Sequence, residues 1–218
     1  MGIIDKHLFL SFELHAANLV KFYKNQELAN VAWAYAVAYV NAPSLFNKRF
    51  INKCGEKKDG FEVEELSQLY QWHLWQTEEK RNPGLPEELA CVCHDAFLST
   101  VPRSSQLQDD VVAQLVSIGL DTKEEVLMDS GYSIDAVVEV SGKTIGVEVD
   151  GPSHFIGRGR SPTGSTILKR RQVPAIDGIE LVAVPYWEWN KLGENKTKKQ
   201  EYLRQLLGLT AAESESES

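Results

Sequence analysis

Two short runs, SIDAVVEV (133–140) and KTIGVEVD (143–150), are separated by nothing but Ser141-Gly142. Their apolar residues recur with a period of two, and a two-residue Ser-Gly connection predicts a β-hairpin. No other feature constrains the chain as much, because a two-residue loop sets the register. Val140 then faces Lys143, and counting outward places Asp135 opposite Glu148. Opposed residues share a face with Cα atoms roughly 4.5–5.5 Å apart. Alternate residues share it too, so Asp150 joins Glu148 and Ser133 joins Asp135. Ile134, Val147 and Val149 are expected on the other face, in the core. A loop longer by one residue would turn Asp135 away and dissolve the cluster.

Three carboxylates on one patch repel each other and destabilise a bare sheet. A divalent cation relieves both effects, and Mg²⁺ binds through one or two carboxylates while keeping water and phosphate in its shell. Asp135, Glu148 and Asp150 are therefore candidate metal ligands. With His154, just past the Gly151-Pro152 turn, they are also the candidate catalytic set for metal-assisted phosphodiester hydrolysis. The competing reading is structural. Asp135 and Asp150 would cap turns or pair with cations of the next helix, and His154 would hydrogen-bond to backbone.

Before Ser104 the pattern is helical. Segments 14–40, 44–54, 61–80 and 86–101 carry apolar stripes at helical spacing, with Ser44 a candidate cap. Trp33, Tyr35, Trp72 and Trp75 sit in those stripes and are expected in the core. Gln26-Glu27-Leu28, Glu64-Glu65-Leu66 and Glu87-Glu88-Leu89 form a weak internal echo, which fits stacked helical hairpins or an ordinary bundle. After Ser104 come a helix closed by Gly119, the hairpin, a helix over STILKRRQVPA that Pro174 should end or bend, a strand over IELVAVPY, and a last helix burying Tyr202, Leu203, Leu206 and Leu207. The expected division is a helical region at 1–104, an α/β domain at 105–209 and a disordered acidic tail at 210–218.

Composition narrows the function. With 218 residues and 43% hydrophobic content, the chain can bury a real core. No apolar run nears the roughly 20 residues that span a bilayer, so no membrane partner is expected. The first residues match neither a secretory signal nor a transit peptide. Cys54, Cys91 and Cys93 are too few and too irregular for a disulfide framework and fit a reducing compartment, as small residues buried on helices. Cys91-Val-Cys93-His94 lacks the spacing and second ligand pair of a zinc site. The net charge is -8, yet Arg158 to Arg204 is locally basic, and a local basic face suffices to contact phosphate.

SIDAVVEVSGKTIGVEVDGPSHF, PTGSTILKRRQV, LVAVPYWEW and KKQEYL, in that order, resemble the RAP domain, a family found in apicomplexan proteins, FAST-kinase-domain proteins of animal mitochondria and octotricopeptide-repeat proteins of plastids. The likeness runs from about Gln106 to Leu209, and QELANVAWAYAVA is similar to the helical repeats that precede such domains. The resemblance implies an α+β chain: a helical repeat-like segment, then an α/β domain with a core like the restriction-endonuclease and very-short-patch-repair fold. It also implies RNA binding in a mitochondrion or plastid, in processing, stability or translation; with no transit peptide visible, a cytoplasmic location is the alternative. In the wider nuclease group the motif is an Asp followed by Glu-x-Lys. Asp135 and Glu148 match it, but Asp150 stands where Lys belongs, which puts cleavage in doubt.

RNA contacts are expected from the Gly-rich loop with Arg158 and Arg160, from the helix start at Thr163 or Ser165, from Lys169, Arg170 and Arg171, and from Tyr186 stacking on an unpaired base. The partner expected is single-stranded RNA, with no preference for DNA argued, and proteins could dock on the helical region. No cofactor beyond Mg²⁺ is suggested. RNA binding is the first reading; a metal-dependent endoribonuclease and a non-catalytic protein scaffold are the alternatives.

Overall fold

The structure, a computed structural model, describes residues 5–78, 84–99, 104–157 and 159–209. It divides into two compact units, Met1–Val101 with Arg160–Gln172, and Pro102–Gly159 with Val173–Ser218. The segment Arg160–Gln172 clusters with the helices. Arg158 and the tail 210–218 lie outside the described residues.

The first unit holds α1 (Lys6–Leu19), α2 (Asn25–Ala38), α3 (Lys48–Glu56), α4 (Val63–Glu78) and α5 (Glu87–Ser99). The stretch expected as one helix over 14–40 is broken by a 3-10 turn at Val20–Phe22 and by extended backbone at Tyr23 and Lys24. The internal echo has a physical basis here. Glu27 accepts from the Lys24 backbone N–H at 2.7 Å, and Glu65 accepts from the Glu62 backbone N–H at 2.9 Å. Each is half of a capping box, followed by a buried Leu28 or Leu66. Pro86 precedes the third copy and has no N–H to offer, so only buried Leu89 repeats.

The cap of α3 is Asn47, not Ser44: its side chain accepts from Arg49 N–H at 2.8 Å. Asn has the short side-chain carbonyl that this position favours. Tyr35, Phe46, Phe50 and Trp72 form an aromatic cluster with ring centroids 5.1–5.5 Å apart. Trp72 and Trp75 are fully buried, as expected, and Trp33 is half-buried. Tyr39 leaves the apolar stripe, ending α2 in the left-handed region at φ 55° with its side chain exposed. Cys54 and Cys93 are buried, but Cys91 is exposed on the outer face of α5.

The second unit runs α6 (Gln106–Ser117), β1 (Thr122–Leu127), β2 (Ser133–Val140), β3 (Lys143–Asp150), β4 (Glu180–Pro185), α8 (Tyr186–Lys191) and α9 (Lys196–Leu206). Between β3 and β4 lies α7 (Gly164–Asp177), which straddles the division between the units. It continues past Pro174 to Asp177 rather than ending there. The sheet order is β1-β2-β3-β4, antiparallel except for the parallel pair β3–β4. Val111, Val112 and Leu115 of α6, Leu203 of α9 and Leu207 at its C-cap bury one sheet face with Ala136, Val138, Val147 and Val149. Ile134 is buried too, but not in that cluster. Its methyl lies 3.2 Å from where a Cβ on Gly146 would sit, on the side also covered by Ile179 and Leu181. Ile134 pairs with Val126 of β1, beyond the last β2–β3 pair at Ala136↔Val147.

Candidate functional site

Ser141 at φ 50° and Gly142 at φ 76° make the turn with both central residues left-handed, as a two-residue hairpin of this twist requires. Pairing then runs from Val140↔Lys143 to Ala136↔Val147. Asp135 and Glu148 are the next residues outward on their strands, as expected. There the ladder gives way to a side chain: an Asp135 oxygen accepts from Val149 N–H at 2.6 Å. On the opposite edge, β3 pairs with β4 through Glu148↔Ala183 and Asp150↔Pro185. The strand end is thus held from both sides. Glu148 and Asp150 are buried to 2% and 1% exposure.

Past Asp150 the chain turns back on itself. A 3-10 turn over Pro152–His154 is closed by His154 N–H on the Gly151 carbonyl at 3.1 Å. This brings His154 Nδ1 to 2.9 Å from Asp150 Oδ1. The imidazole pKa is raised above its ordinary value. The hydrogen bond to Asp150 is the largest cause; burial opposes it, and the charges of Asp150, Glu148 and Asp135 add to the rise. All three carboxylates therefore act on one ring, which keeps 36% of its side chain exposed.

Asp150 is committed to His154 and Asp135 to backbone, and among the described residues no three His, Cys, Asp or Glu side chains are grouped to hold a metal. Asp135 accepts from the Val149 N–H and Asp150 pairs with His154, so both carboxylates face protein groups.

The expected RNA contacts scatter. Thr163 caps α7, its hydroxyl facing Thr166 N–H at 3.4 Å and lying 3.0 Å from the hydroxyl of exposed Ser165. Arg160 is exposed, while Lys169 and Arg170 are half-buried. Arg171 serves the helical unit. Its guanidinium donates to the Ala36 carbonyl at 2.8 Å and lies 4.6 Å from the centre of the Tyr39 ring. Gln172, unremarked in the sequence, is fully buried and donates to the Gln71 carbonyl at 2.7 Å. Tyr186 is half-buried against Trp187 and Phe155, at 5.3 and 6.2 Å between rings.

Asp110 is a further residue the sequence did not flag. It accepts from Trp189 Nε1 at 2.8 Å and from Lys199 Nζ at 2.7 Å, pinning α8 and α9 to α6. Burial raises its carboxyl pKa, but the two hydrogen bonds and the ammonium charge outweigh that, and the net direction is down. Lys199 is consequently withdrawn from the basic surface.

A mixed α/β unit that gathers strand-end carboxylates around one histidine, alongside a helical unit, is the class of protein these features define. Residues 147–206, starting on β3 at the last pair of the β2–β3 ladder, match the family profile of the RAP domain. Over that stretch the chain is similar to the RAP domain. It is also similar to a protein of Oryza sativa subsp. japonica described as "RAP domain-containing protein, chloroplastic", 28% identical over 205 residues, which cover 87% of this chain and 30% of that protein. The chain thus spans less than a third of that relative's length.

Proposed function

We propose that this protein binds RNA in an organelle and holds it without cutting it. The RAP domain supports a role with RNA, and the chloroplastic relative makes the plastid the first compartment to test. The α–β–β–β–α–β order from α6 to β4 supports an endonuclease-like core put to binding use. The observation that carries the reading is the third motif position. Where a nuclease of that group has Lys, this chain has Asp150, already joined to His154 at 2.9 Å. The side chain at that position is a carboxylate, which itself supplies no ammonium to orient water or to offset developing charge.

Labelled single-stranded RNA incubated with the protein, first in Mg²⁺ or Mn²⁺ and then in chelator, tests this. The expected result is salt-sensitive binding with intact RNA in both conditions. Cation-dependent cleavage that disappears in Glu148→Ala would establish the endoribonuclease instead. No RNA affinity at low salt would leave the scaffold reading. That reading has a feature of its own: Leu8, Leu10, Phe12 and Leu14 of α1 are each at least half exposed, a surface suited to the apolar side of a partner helix.

A further inference from the structure

Residues 1–101 carry a small excess of acidic side chains, but one part of their surface does not. On α3, Lys48, Arg49, Asn52 and Lys53 fall on one side of the helix, at i, i+3 and i+4 spacing, while Phe50 and Cys54 are buried on the other. The 3-10 turn at Val20–Phe22 lies against α3 and adds Lys21. Together they line a groove of about 520 Å³, with Glu56 at its lip. Glu56 pairs with Lys53 at 3.4 Å. Among the described residues, Lys21, Lys48 and Arg49 are held in no ion pair, so three cations face the groove uncompensated. Beside it stands Phe22, 69% exposed, with Lys21 Nζ 4.7 Å from its ring centre.

An exposed phenylalanine gains nothing in water, and four cations along one groove repel one another. Both costs are relieved by one ligand, a flexible polyanion that carries flat apolar rings. A phosphate backbone neutralises the cations, and an unpaired base covers the phenyl face. A duplex meets only half of this, because its bases are already stacked.

We propose that this groove is a second RNA contact, in which Lys21, Lys48, Arg49 and Lys53 hold the backbone of a single strand and Phe22 stacks on a base. The proposal rests on the RNA-binding reading and deepens it, by giving the helical unit its own share of the strand. In a protein of net charge -8, a local positive groove also steers the strand to this face.

The test is fluorescence anisotropy of a labelled mixed-sequence single-stranded RNA with the full chain, over a series of salt concentrations. The variants are the Lys48→Gln, Arg49→Gln, Lys53→Gln triple, and Phe22→Ala. All four side chains lie at the surface, and an unchanged thermal midpoint checks folding. The triple variant should bind at least about tenfold more weakly at low salt, with the slope of log K against log salt shallower by about 2. Phe22→Ala should lose roughly fivefold or more in affinity at every salt concentration. Lys123→Gln with Lys143→Gln, exposed lysines of β1 and β3, removes two positive charges elsewhere and should leave binding as it was. If the wild type binds RNA and the triple variant keeps its affinity and slope, the groove is wrong and the RNA reading stands. An equal loss in the Lys123, Lys143 variant, or equal competition by a duplex of the same length, overturns the groove as a single-strand site. If the wild type binds no RNA, both readings fail.

Discussion

His154 Nδ1 lies 2.9 Å from Oδ1 of Asp150, a carboxylate 1% exposed at the end of β3. The hydrogen bond raises the imidazole pKa against the opposing effect of burial. A group that holds its proton more tightly when folded stabilises the fold below its unfolded pKa, and that contribution is lost as pH rises through the folded value. The pair should therefore strengthen the protein near about pH 5.5 and weaken toward about pH 8, on either side of the ordinary imidazole value. Proton NMR should place the His154 midpoint above the ordinary imidazole value, and Asp150→Asn should bring it down. An unmoved midpoint in Asp150→Asn would show that the carboxylate does not hold the ring.

Arg171 ties the basic segment to the helical unit through the Ala36 carbonyl and the Tyr39 ring. The carbonyl lies in the last turn of α2, where a cation opposes the negative end of the helix. Arg171→Ala should cost about 1–3 kcal/mol in urea unfolding. Arg171→Lys should recover only part, because an ammonium lacks the planar stacking surface. RNA affinity is expected to fall less than stability does. A large affinity loss with unchanged stability would return Arg171 to the RNA surface.

Much of the architecture could be read from the residues because local chemistry announced it. Ser141-Gly142 specified a turn, the turn set the register, and the register brought Asp135 and Glu148 together. β1 was missed because Lys123, Glu124 and Glu125 break the apolar alternation, which an edge strand can tolerate. The aromatic run of α8 reads as a strand end, and a six-residue helix has too few turns to show a period. What sequence could not supply was the direction of each cation. Lys169, Arg170 and Arg171 are consecutive, so on a helix they point about 100° apart, and only packing shows that Arg171 turns to Tyr39. The groove on α3 was hidden for a related reason: Lys21 joins it from another segment.

The three cysteines should differ in reactivity. Burial pushes the Cys54 and Cys93 thiols up to about 12, and each stays reduced. At about pH 8 a thiol of that kind is thiolate in only roughly one molecule in ten thousand, and the thiolate is the nucleophile. Brief iodoacetamide treatment of the native protein should add one label, mapped to exposed Cys91 by peptide mass. Denaturant should open the other two. Labelling of Cys54 at the Cys91 rate in native buffer would mean that the helical core is not closed.

Gly164 opens α7, and a methyl there would sit 2.3 Å from Trp33 Cη2 and 3.0 Å from Val37 Cγ2. Alanine ordinarily favours a helix over glycine by about 1 kcal/mol, so propensity alone predicts a gain. The indole cannot simply swing aside, because Nε1 donates to Gln71 Oε1 at 2.7 Å. Overpacking should win, and Gly164→Ala should destabilise the protein by about 1–3 kcal/mol. Gly55, inside α3 with nothing within 4 Å of the same methyl, supplies the control, and Gly55→Ala should stabilise. Trp33→Phe removes the outer ring, so adding Gly164→Ala to it should cost less than adding it to the wild type. Urea unfolding of the four proteins of that cycle gives the coupling directly. A gain in stability from Gly164→Ala alone would mean that the 160–172 segment does not rest on Trp33.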